Sequence, residues 1–286
     1  MKLLRHGPMG AEKPGLLHSD CTIRDLTGLV PDVGGVVLSD AGLAMLRGID
    51  PATLPVVAPG TRLGPCVAGT GKFICIGLNY SDHAAETGAT VPPEPIIFMK
   101  ATSAICGPND PIIIPRGSEK TDWEVELAVI IGTRAARVTR ENAIKHVFGY
   151  SVMIDVSARD NRRSGQWIFS KGMDSYAPFG PVIVTADEIP DPQNLDLWLT
   201  VNGVEKQRSN TAKMLFKVDE LIADISQGIT LEPGDIIASG TPEGVGAGRD
   251  PQEFMWPGDT VVASVQGIGT LRHPVVNSTP NDQTGS

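Results

Sequence analysis

From Lys120 to Gly132 the chain reads Lys-Thr-Asp-Trp-Glu-Val-Glu-Leu-Ala-Val-Ile-Ile-Gly, and this run constrains the fold more than any other. Its apolar, β-branched end predicts a buried strand. Along a strand, residues two apart share a face, so Glu124 and Glu126 point one way and Trp123, Val125 and Leu127 the other. The strand rise sets the two anions roughly 6 to 7 Å apart, and burying them unpaired is costly. Either they lie exposed on an edge strand or pair with Lys120, or the fold brings a cation between them. No thiolate or imidazole stands alongside, so that cation is expected to be hard and oxygen-loving: Mg²⁺, Mn²⁺ or Ca²⁺.

A third carboxylate strengthens the cation reading. Asp155 closes the apolar run Tyr150-Ser-Val-Met-Ile154, which places it at the C-terminal end of a strand. Three carboxylates completed by water make an octahedral Mg²⁺ or Mn²⁺ site. The alternative is a turn-forming aspartate, with Val156 to Asp160 as a loop.

Around these segments the chain is organised as many short strands. From Phe73 onward, apolar segments of strand length recur between Gly, Pro and Asp, at 73–78, 95–99, 112–114, 124–131, 150–156, 181–184, 197–201, 235–239 and 260–265. This is the pattern of a β-rich α+β protein, a sandwich or roll. Asn202-Gly203 signals a type I′ hairpin. Helices are expected over 81–87, 139–147 and 218–227, the last stopped by Gly228. Residues 1–65 read as a small N-terminal α+β module, with a hairpin over 15–26, a helix over 39–47 and a Pro-rich connector at 50–60. Residues 70–276 form the main domain, and the polar tail 277–286 is expected to fray.

Composition excludes several classes of function. A net charge of −9 argues against a nucleic-acid partner or an anionic membrane surface. No apolar run is long enough to span a bilayer, and the N-terminus lacks a signal peptide's apolar stretch. The four cysteines show neither metal-type nor redox spacing. They read as reduced thiols of a cytoplasmic protein, Cys75 as a small core residue.

Other candidates for chemistry lie outside the acidic run. If Ser81 caps a short helix, His83 and Glu86 share one face, and the carboxylate can orient an imidazole acting as general base toward water. A solvent-facing helical pair is the plain alternative. Lys171 reads as a loop lysine, either solvated or placed to neutralise charge developing on an enolate. Arg159 and Gln166 are candidates for substrate oxygens or for structural roles. Gly240 to Gly248 lacks the Lys-Ser/Thr ending of a phosphate loop. It reads as a close-approach loop offering the Thr241 hydroxyl and backbone N–H groups to a substrate carboxylate.

Taken together, the segments Ile76-Gly-Leu-Asn-Tyr-Ser-Asp-His-Ala-Ala-Glu86, Phe98-Met-Lys100, Asp122-Trp-Glu-Val-Glu-Leu127, Asp155-Val-Ser-Ala-Arg-Asp160, Ser170-Lys-Gly172 and Ala238-Ser-Gly-Thr-Pro242 resemble the fumarylacetoacetate hydrolase superfamily. The resemblance implies a mixed β-sandwich roll, a homodimer, and Mg²⁺ or Mn²⁺ on Glu124, Glu126 and Asp155. It assigns general-base chemistry to His83 with Glu86, enolate stabilisation to Lys171, and substrate contact to Gln166 and Thr241. The founding hydrolase carries a further aspartate ligand seven positions before its histidine. Ile76 stands there in this chain, as in the three-carboxylate members. Those members act on small anionic 2-oxo or 2,4-diketo acids as hydrolases, decarboxylases, isomerases or lyases. The N-terminal Met-Lys-Leu-Leu-Arg5 and Gly71 to Gly77 look most like the branch named for 2,4-diketo-3-deoxy-rhamnonate hydrolase or ureidoglycolate lyase.

Overall fold

The acidic run forms the middle of a large sheet. In the computed structural model, which describes residues 1–278, every residue of the strand Val125–Ile131 is buried, as is every residue of its antiparallel neighbour Val147–Ile154. Strands covered on both faces read as continuous apolar runs rather than alternating ones, which accounts for Leu-Ala-Val-Ile-Ile here. On the far side of Val125–Ile131 lies Ile236–Ala238, then Phe73–Gly77 in parallel, then Ile96–Lys100 at the edge. On the other side, Val147–Ile154 pairs with Ala177–Thr185. Lys2–His6, Lys13–Leu17 and Ile23–Asp25 extend the sheet from there, so the N-terminal strands continue the main sheet. With two short strands attached off this path, the sheet has 11 strands and two open edges.

A second sheet of five strands, ordered Val204–Asn210, Asp196–Val201, Thr260–Val265, Gly269–Asn277 and Ile112–Ile114, packs on the first. Thus Leu197, Leu199, Ala263 and Leu271 join Val152 and Ile183 in one core. The architecture is the expected β-rich sandwich roll, open rather than barrel-closed. Asn202 and Gly203 link two of its strands with φ of 52° and 78°, the positive values a type I′ turn requires. Cys75 is fully buried, as expected.

Several expectations need correction. The helix expected over 139–147 is one α-turn, Arg140–Ala143, followed by a 3₁₀ turn Ile144–His146. Val147 already belongs to the buried strand, and sheet burial overrides the local helical pattern there. Gly228 is the last residue of the helix Val218–Gly228, and Ile229 is its C-cap. Lys2–His6 and Gly269–Asn277 are strands without an expected counterpart, because each mixes charged residues into its apolar pattern, while Val204–Asn210 is the second arm of the expected hairpin, its length unmarked by its polar sequence. Of the tail, Asn277 closes a strand and Ser278 N–H donates to Ile114 O at 3.1 Å, while the fraying expected for the rest lies outside the described residues.

Candidate metal centre

The ladder between the two central strands builds the acidic cluster. Val125 pairs with Ile154 and Glu126 with Met153. One step further, Asp155 N–H donates to Glu124 O at 2.8 Å, so Glu124 and Asp155 face each other across the ladder. Opposed residues point to the same face, and so do residues two apart, which puts all three carboxylates on one face. Each offers one oxygen within 4.8 Å of the others, and all three are buried.

The strand bearing the glutamates loses its other neighbour just there. Ile236–Ala238 pairs only with Ala128, Val129 and Ile130. Beyond it, side chains replace the missing strand. Gln207 Oε1 accepts from Val125 N–H at 2.9 Å, and the Thr241 hydroxyl donates to Val125 O at 3.0 Å. Gln207 Nε2 donates to Thr241 Oγ1 at 2.9 Å, locking the two together. The opening leaves room for a cleft of about 480 Å³ with Glu124, Lys171, Arg159 and His83 on its wall.

Charge in the cluster is unevenly answered. Lys171 Nζ sits 2.7 Å from both Glu124 Oε2 and Asp155 Oδ2. Arg159 bridges Glu124 at 2.5 Å and Asp122 at 2.8 Å. Burial alone would raise the Glu124 carboxyl, but Lys171 and then Arg159 outweigh it and hold it well below the usual carboxylate range. Burial opposes the Lys171 charge, yet Asp155 and Glu124 raise its pKa above the ordinary lysine value. Glu126 has no cationic side chain against it among the described residues, and its Oε2 accepts from Gly240 N–H at 2.8 Å. Burial, then Asp155, then Glu124 push its carboxyl well up. Lys100 Nζ lies 2.5 Å from Asp155 Oδ1. Its donors, however, go to the carbonyls of Val156, Lys171 and Tyr176, leaving Asp155 Oδ1 with a neighbouring charge but no hydrogen bond. A Glu126 carboxyl without a cationic partner and an Asp155 oxygen without a hydrogen bond, within a set made only of carboxylates, fit a hard divalent cation.

His83 lies on the helix Ser81–Thr87, which follows closely on the strand Phe73–Gly77. Its Nδ1–H donates to Glu86 Oε2 at 2.9 Å, and Glu86 Oε1 accepts from Gly244 N–H at 2.8 Å. The pair is therefore anchored rather than solvent-facing, and Nε2 is left as the ring's acceptor.

The glycine-rich loop serves these carboxylates instead of a ligand. Gly240 N–H goes to Glu126, Gly244 N–H to Glu86, and the Gly246 and Ala247 N–H groups to Asp122. Expected as donors to a substrate carboxylate, these amides are spent on the protein's own acids. Gly244 shows why the loop needs glycine: its φ is +96°, and a Cβ would lie 2.1 Å from Lys206 O.

The remaining expected residues divide. Thr241 and Arg159 line the cleft. Lys171 lines it too, but as the buried last residue of the helix Trp167–Lys171 rather than in a solvated loop. Gln166 is exposed at that helix's N-cap and is not on the cleft wall. Three residues of the site carried no expectation. Asp122 extends the alternation of Glu124 and Glu126 by one step, a signal visible in the sequence. Lys100 closes the apolar strand Ile96–Lys100, an unusual place for a lysine unless it is paired. Gln207 sits in a polar strand of the other sheet, and nothing local marks it.

Comparison with known proteins agrees with this geometry. Residues 72–276 match the model of the fumarylacetoacetate (FAA) hydrolase C-terminal family. A protein of Burkholderia orbicola (strain MC0-3), named only as a hydrolase, is 56% identical over 272 residues, covering 94% of this chain and 96% of its own. The structure of a fumarylacetoacetate hydrolase from psychrophilic Exiguobacterium antarcticum is similar with a TM-score of 0.86 and 37% identity, covering 97% of this chain and all of that one. That of maleylpyruvate hydrolase from Sphingobium sp. SYK-6, in complex with manganese (II) ion and pyruvate, has a TM-score of 0.81 and 30% identity, covering 98% of this chain and all of that one.

Proposed function

We propose, since this chain belongs to the fumarylacetoacetate hydrolase family, that it is a Mg²⁺- or Mn²⁺-dependent hydrolase cleaving a C–C bond of a 2,4-diketo acid to pyruvate and a second carboxylic acid. The observation that carries this reading is the buried triad Glu124, Glu126 and Asp155, with His83, anchored by Glu86, lining the cleft that Glu124 also lines. Once bound by the triad, the ion would supply Lewis-acid stabilisation of negative charge on the substrate's oxygens, worth several kcal/mol.

The chain's own residues supply the rest. His83 Nε2 takes a proton from water as its oxygen adds to the C4 carbonyl. Glu86, held by Gly244, keeps the proton on Nδ1 and steadies the imidazolium that forms. The C3–C4 bond then breaks, its electron pair passing into the enolate of pyruvate, and Lys171 shares that charge. Protonation at C3 completes the products. A homodimer in the cytoplasm belongs to the same reading. The four free cysteines agree with a reducing compartment, and no helix among the described residues is long and apolar enough to cross a membrane.

The test is a turnover assay with synthetic 2,4-diketo acids, with and without Mg²⁺ or Mn²⁺. Metal-dependent release of pyruvate with a second acid is expected. Release of CO₂ would instead mean decarboxylation, and a product of unchanged mass isomerisation; either outcome displaces hydrolysis.

A further inference from the structure

Resting on that reading of the metal and base, we infer that the substrate carries a second carboxylate at its far end, bound by Arg162, on a tail without hydroxyl groups. Three cationic side chains of lysine or arginine line the cleft: Arg159, Lys171 and Arg162. The first two are committed, Arg159 to Asp122 and Glu124, Lys171 to Glu124 and Asp155. Among the described residues Arg162 has no carboxylate partner. Its guanidinium instead stands 5.2 Å from the Trp167 ring centroid, and Trp167 in turn meets the Phe98 ring edge-on at 5.0 Å. Both rings line the cleft, so the arginine is steadied at its wall with its donors unspent. A guanidinium fork of this kind matches a carboxylate bidentately.

The rest of the wall describes the tail. Ile76, Leu78, Ile96, Phe98, Trp167 and Val245 present carbon to the cleft. Two hydroxyls also line it, and both have spent their proton within the protein. Thr241 donates to Val125 O, and Thr87 donates to His83 O at 2.9 Å. Away from Arg162 a polyhydroxylated tail would therefore exchange most of its water for carbon, whereas an aliphatic or conjugated chain loses nothing there. The sugar-acid substrates suggested by the N-terminal segments fit this wall poorly.

Three acylpyruvates with one reacting head separate the possibilities. In 2,4-dioxoheptanedioate the tail ends in a carboxylate, in 2,4-dioxoheptanoate it ends in a methyl group, and 5,6,7-trihydroxy-2,4-dioxoheptanoate carries hydroxyls. With the Mn²⁺-loaded enzyme, kcat/KM for the dioate should exceed that for either neutral-tailed acid by about tenfold or more, the ratio expected of one charge-assisted contact. In Arg162→Gln the ratio of dioate to heptanoate should fall to near one, and Arg162→Lys should restore part of it. Comparable or faster turnover of a neutral-tailed acid, or a ratio that Arg162→Gln leaves in place, overturns the inference and leaves the hydrolase reading standing. Pyruvate from none of the three overturns the hydrolase reading, and the inference with it.

Discussion

Glu126 shows at the scale of one residue what the site demands. It is 1% exposed, its neighbours Asp155 and Glu124 raise its pKa, and a glycine amide is its protein hydrogen-bond partner. Replacing it with Gln keeps the volume and removes the repulsion. The metal-free variant should therefore melt at or above the wild-type temperature, while Mn²⁺ affinity by calorimetry falls by more than about a hundredfold. A drop in metal-free stability with unchanged affinity would mark Glu126 as structural. His83→Ala should behave oppositely: the Mn²⁺ titration stays intact, while kcat falls by about 10²–10⁴, the usual worth of a positioned base. Surviving turnover would call for a different base. At this scale the sequence was readable wherever spacing alone decides geometry. Glu124 and Glu126 share a face because a strand repeats every two residues, and His83 meets Glu86 because a helix brings i and i+3 together. Lys171 was not readable as buried, because its burial depends on Glu124 and Asp155 folding against it from elsewhere in the chain.

Elements position what residues perform, and two of them act from a distance. Gln207 reaches from the second sheet to the break between the two glutamates and stands in for a missing strand. Gln207→Leu leaves Val125 N–H unpaired and unlocks Thr241. It should weaken Mn²⁺ binding by about 10–100-fold, as lost supporting contacts around metal ligands generally do, while the protein stays folded by circular dichroism. Lys100, at the end of an edge strand, gathers three carbonyls beside Asp155. Lys100→Met should cost about 3–5 kcal/mol in urea unfolding, the effect of breaking a buried ion pair. A loss under about 1 kcal/mol would show that Asp155 does not depend on it. Most strands were legible as apolar runs between Gly and Pro. Gln207's strand, Val-Glu-Lys-Gln-Arg-Ser-Asn, was not, since its order comes from pairing with Asp196–Val201 and not from its own pattern.

Across the whole molecule, two packed sheets bury groups far from the cleft as completely as those within it. His273, in the second sheet, is fully buried, and its Nδ1–H donates to Asp110 O at 2.7 Å. Burial depresses its pKa from 6.5 to about 4. Between those values the unfolded chain binds a proton that the folded chain does not, so stability falls as pH drops from about 6.5 toward 4, by up to about 1.4 kcal/mol per pH unit. His273→Asn keeps a side-chain donor without the titration, so its melting temperature should fall less over that range than the wild type's. Parallel curves would remove the assignment. The layered β architecture was legible from the recurrence of short apolar runs. That residues near the N-terminus complete the main sheet was not, because their partner, Ala177–Thr185, lies far along the chain.

The proposed chemistry depends on three carboxylates sharing one ion, and anomalous diffraction at the manganese edge from crystals grown with Mn²⁺ tests this most directly. The expected result is one peak roughly 2.0–2.3 Å from an oxygen of each of Glu124, Glu126 and Asp155. A map with no peak between these oxygens, or with manganese held by other residues, would contradict it.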